Sequence, residues 1–79
     1  MSARVTLHQY ADMAWTGLSR LTHSSTTAVK AEAEALVVAH LEKIEERWNT
    51  MDADDIDEAL EGLMVLIIRF LRNRRIPLQ

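Results

Sequence analysis

Three histidines, a dense set of carboxylates and a cluster of arginines are the side chains of this sequence that could do chemistry. His8 and Asp12 stand one helical turn apart, so both could reach a single metal ion. A structural zinc site asks for four ligands, and the chain has no Cys to supply the missing two. The pair reads as exposed helix polarity. His40 lies on the apolar side of its helix near Ala33, Val37 and Ile44. It reads as a boundary residue whose ring nitrogen finds a hydrogen-bond partner, not as a ligand or pH switch. The run Asp52-Ala53-Asp54-Asp55-Ile56-Asp57 has the alternating acids of a calcium loop. It puts Ile56 where the third oxygen ligand belongs, lacks the glycine of the sharp turn, and has Leu63 where the bidentate Glu should sit. Calcium is rejected.

Catalysis finds no better footing. The hydroxyls of His23-Ser24-Ser25-Thr26-Thr27 cluster where a helix should start, so capping explains them without a nucleophile. No glycine-rich elbow or phosphate loop is present. The carboxylates fall on outward helical faces, without the burial that tunes a general acid or base. The expectation is a protein that is not an enzyme, with no cofactor and no metal.

Charge is the strongest signal. Residues 1–30 carry three bases against one acid, residues 31–61 two against eleven, and residues 62–79 four against none. The net charge of −3 therefore conceals an acidic middle and a basic end. Glu42, Glu45, Glu46, Asp57, Glu58 and Glu61 form a candidate acidic surface for a basic partner. Arg69, Arg72, Arg74 and Arg75 are candidate phosphate contacts, which makes a dimeric nucleic-acid-binding regulator the alternative reading. The bland explanation of these arginines, favoured here, is that cations suit the last turns of a helix.

The elements that position these groups follow from cap and period. Thr6 followed three residues later by Gln9 is a capping box, with Val5 and Tyr10 spaced as a hydrophobic staple. Leu7, Tyr10, Ala11, Ala14, Leu18 and Leu21 then recur at helical intervals, and Gly17 beside them would let another element approach closely. A second helix capped within Ser25–Thr27 presents Val29, Ala33, Leu36, Val37, His40, Leu41, Ile44, Trp48 and Met51. A third, capped by Asp52 or Asp54, puts Ile56, Ala59, Leu60, Leu63, Leu66, Ile67 and Phe70 on one face. Pro77 stops it. With two Gly and one Pro, the expected fold is all-α: a helical hairpin plus an N-terminal helix in one domain, 1–79, with helices over roughly 6–21, 26–49 and 54–73.

The third helix is more apolar than one face needs. Met64, Val65 and Ile68 fall off the inward face, with Leu71 at its boundary. A chain of this size buries only about 60% of its unfolded surface and gains from oligomerising. The expectation is a homodimer, a dimeric helical bundle in which Met64, Val65, Ile68, Leu71 and Trp48 meet a partner. The longest apolar run, Leu63 to Ile68, is far short of the roughly 20 residues of a membrane span, and no N-terminal apolar block is present. Together with the lack of Cys this points to a cytoplasmic protein without a membrane partner. Function is expected to run through protein contacts, as adaptor, regulator or inhibitor.

Overall fold

The computed structural model describes residues 4–74 and is all-helical. Helix α1 spans Leu7–Leu21, α2 spans Thr27–Arg47 and α3 spans Ala53–Asn73, with one 3-10 turn at Trp48–Thr50 between α2 and α3. Each helix begins on a side-chain cap. Thr6 Oγ1 accepts from the Gln9 backbone N–H at 3.1 Å while Gln9 Oε1 accepts from the Thr6 N–H at 2.8 Å. Thr26 Oγ1 accepts from Val29 N–H at 3.3 Å. Asp52, not Asp54, caps α3, in a reciprocal box with Asp55. Such caps satisfy backbone donors that the helix itself leaves unpaired, each worth about 1 kcal/mol.

Short connections make sequential helices antiparallel neighbours, and two apolar clusters record that topology. Tyr10 at the start of α1, Ile44 at the end of α2, Met51 and Ile56 form one cluster. Ala14, Leu18, Ala33, Val37, Leu63, Ile67 and Leu71 form the other. Leu41 and Leu60 pack against both and join them. The result is an up-down-up bundle with extents of 40 × 22 × 18 Å. Small residues set its spacing: Ala14 and Ala33 are fully buried in the second cluster. At Gly17 a Cβ would stand 2.5 Å from Met64 Sδ, so the missing side chain is where α3 seats its methionine.

Three expectations need correction. The second helix ends at Arg47, and Trp48 and Met51 belong to the 3-10 turn and the residue that follows it. Leu66, placed on the inward face of α3, is 46% exposed. Leu71, placed at the boundary and assigned to a partner surface, is 0% exposed within its own chain. The last two share one cause. The inward stripe runs Ile56, Leu63, Ile67, Leu71, and its last two steps are of four residues, each overshooting a 3.6-residue turn, so the stripe drifts around the helix. Toward the C-terminus the stripe leaves Leu66 behind and brings Leu71 in. Among the described residues, no helix is long and apolar enough to cross a membrane.

Candidate interaction surfaces

At the end of the bundle where α1 starts, four side chains interlock. Tyr10 is fully buried, and its hydroxyl meets His40 Nε2 at 2.7 Å. Burial pushes the Tyr10 phenol up to about 12, so it stays protonated. Burial, and secondarily the charge of Lys43, pushes His40 below its usual value, so the neutral ring is favoured. The neutral ring can accept the phenol proton. Trp48 meets Tyr10 edge-on at a centroid distance of 5.6 Å. Arg4 stacks over Trp48 and donates to the carbonyls of Trp48 and Met51, tying the segment before α1 to the 3-10 turn. The Tyr10 hydroxyl, His40 Nε2 and the Arg4 guanidinium all find partners inside the chain, so the cluster is a clasp. Trp48, expected at a partner interface, is half-buried in it.

The other expected interface residues separate. Met64 is half-buried against Gly17 and the main cluster, covered in part by its own α1. Ile68 is half-buried. Val65 is 41% exposed and lies on the far side of α3 from the core. It shares an open groove with Glu58, Glu61, Gly62 and Arg69. Arg72, seven residues beyond Val65 and exposed, continues that face. The outer face of α3 thus runs from acid through a small apolar centre to base.

All six residues of the expected acidic surface are exposed. They stand on two helices at one end of the bundle, where residues 42–61 bring nine carboxylates against Lys43 and Arg47. Asp52 and Asp55 spend their oxygens on the cap of α3. His8 and Asp12 form an exposed one-turn pair at 3.6 Å. Among the described residues no three His, Asp or Glu side chains converge as a metal site would require.

The arginines also divide. Arg74 pairs with Glu32 of α2 and lies over the Phe70 ring at 4.8 Å. It is exposed and already engaged with partners of its own chain. Arg69 and Arg72 are exposed, and Arg75 lies outside the described residues. Arg4 and the Tyr10–His40 pair were not singled out as partners from the sequence. The signal available for the pair was that both fall on inward stripes of helices that must pack together. For Arg4 there was none.

A second exposed apolar spot lies beside Gly17, where Met13 borders a shallow depression with Asp12, Thr16, Arg20 and Leu60. Comparison with family models, with characterised proteins and with solved structures finds no match to this chain.

Proposed function

We propose that this chain is a non-enzymatic, cytoplasmic helical protein that works through protein contacts, as a homodimer carrying a crowded acidic end to a basic protein partner. The acidic end carries the reading. Nine carboxylates within one end of a small bundle repel one another, and the two bases between them leave most of that repulsion in place. A basic partner relieves it, and an acidic surface of this kind can compete with nucleic acid for a protein that binds it. The outer face of α3, with Val65 at its centre, supplies the self-association surface.

Titration with a lysine-rich peptide at rising salt tests the partner class. The proposal expects binding that weakens with salt and is lost when Glu42, Glu45 and Glu46 are changed together to Gln. Peptide binding unaffected by that triple change would contradict it. Exposure of Arg69 and Arg72 sustains a second reading, contact with nucleic-acid phosphates. Salt-dependent binding to duplex DNA that disappears in Arg69→Ala/Arg72→Ala would favour this reading over the first.

A further inference from the structure

The outer face of α3 has a symmetry that the single chain does not use. Val65 is midway between Glu61 and Arg69, four residues to either side, and midway between Glu58 and Arg72, seven to either side. All five residues are exposed. None of the four charges has an opposite charge three or four residues away on its own helix. Glu58 and Glu61 instead neighbour Asp54, Asp55 and Asp57, while Arg69 and Arg72 neighbour each other. The two ion pairs among the described residues, His8–Asp12 and Arg74–Glu32, leave these four out. Helix-dipole complementarity accounts for Arg72, in the last turn of α3, but not for the other three. Its effect fades within the first and last turns, and Glu58, Glu61 and Arg69 lie further inside α3.

Gly62 adds an independent observation. It is exposed, and a Cβ built on it meets nothing within 4 Å, so the fold of one chain has no use for a glycine there. A glycine inside a helix weakens it, and its common use on a helix surface is to let a second helix come close.

We infer that this face is covered by the same face of a second copy, laid antiparallel about a two-fold axis at Val65. Glu61 then meets Arg69 of the partner subunit, and Glu58 meets Arg72 of the partner subunit. Gly62 faces Ile68 of the partner subunit and makes room for it. Each like-charged block of one helix is neutralised by the opposite block of the other, which no parallel pairing achieves, and Glu42, Glu45 and Glu46 of α2 stay outside this contact for the basic partner. Glu58, Glu61, Val65, Ile68 and Arg72 alternate steps of three and four residues, the spacing with which one helix follows the surface of another. This arrangement rests on the homodimer proposed above and specifies its register. A contact made by one helix pair belongs among small interfaces, below about 1,200 Å² in total, so the dimer should be concentration-dependent.

The test uses two variants of the 79-residue chain, Glu61→Arg and Arg69→Glu, followed by sedimentation over a concentration series reaching the submillimolar range. Both changes relieve like-charge neighbours within α3, so folding is not threatened, and circular dichroism verifies it. In the inferred register each variant alone places like charges opposite one another twice, and self-association should weaken about tenfold or more. Mixing the two variants should restore a heterodimer, because the arginine introduced at position 61 of one chain then meets the glutamate introduced at position 69 of the other. The double variant Glu61→Arg/Arg69→Glu should recover the wild-type dimer. A wild-type dimer whose variants associate as strongly as before, or whose mixture recovers nothing, overturns the register and leaves the homodimer standing. A wild-type chain that stays monomeric throughout overturns both.

Discussion

The chain's two glycines stand in opposite surroundings. A side chain on Gly17 would collide with Met64 at 2.5 Å, whereas one on Gly62 would meet nothing within 4 Å. The first belongs to a seam completed inside the chain, where α1 omits a side chain and α3 fills the space. The second lies on a face where a side chain is omitted and nothing fills the space. Met64 and Val65 are adjacent in sequence, yet one closes the seam and the other is left in the open groove. One helix can therefore carry a finished contact and an unfinished one, and apolar content alone does not distinguish them. What distinguishes them is whether another element of the same chain reaches that side.

Substitutions along α3 and α1 can break this contrast. The largest effect should come from comparing two leucines three residues apart. Leu63→Ala, in the fully packed stripe, should lower unfolding stability by about 2–5 kcal/mol in chemical denaturation. Leu66→Ala, nearly half-exposed, should lower it by less than about 1 kcal/mol. Similar losses at both positions would erase the distinction between the two sides. Next in size, Gly17→Leu should cost about 1–3 kcal/mol by forcing Met64 and its neighbours apart, whereas Gly62→Leu should leave thermal stability of the monomer unharmed.

The interior clasp should respond to acid. His40 holds its proton less tightly in the folded chain than in the unfolded one. Its contribution is therefore fully present above the unfolded value, about 6.5, and is lost as pH falls through that value toward the folded one. Tyr10→Phe, which removes the partner of Nε2, should cost about 1 kcal/mol at neutral pH. Denaturation midpoints measured between neutral and mildly acidic pH check both. Smallest is Gly62→Ala, which should raise monomer stability by about 0.5–1 kcal/mol, since it strengthens the helix and meets no obstacle. A loss of stability there would show that the fold of one chain needs this glycine after all.

Local signals in the sequence carried much of this structure. The Thr6–Gln9 box, a cap within Ser25–Thr27 and the choice of Asp52 or Asp54 follow from side chains that reach only their own helix. The close approach at Gly17 was also readable, because a missing side chain beside an apolar stripe has few other uses. The fates of Leu66 and Leu71 were not, because a short wheel treats the stripe as straight while the packed stripe drifts along the length of α3. The contact of Met64 with Gly17 is not legible for a related reason: which neighbour covers a flank depends on helix crossing, a tertiary property. Arg4 stacks on a residue 44 positions away, and no local pattern announces that. For the surfaces, composition marked the acidic end, and the opposite charge at the two ends of α3 already favours antiparallel pairing of two copies, but the register about Val65 becomes meaningful only once that face is known to be outside.

A buried charge on the proposed axis offers the most direct test. Val65→Glu sets two like charges against each other wherever two copies meet at this residue, and it changes nothing in the core of one chain. Sedimentation should show the wild-type chain passing from monomer to dimer as concentration rises, and Val65→Glu remaining monomeric with the melting curve that the wild-type chain has at concentrations where it is a monomer. A wild-type chain that never dimerises, or a Val65→Glu chain that dimerises equally well, would contradict the claim that the outside of α3 is a contact between copies.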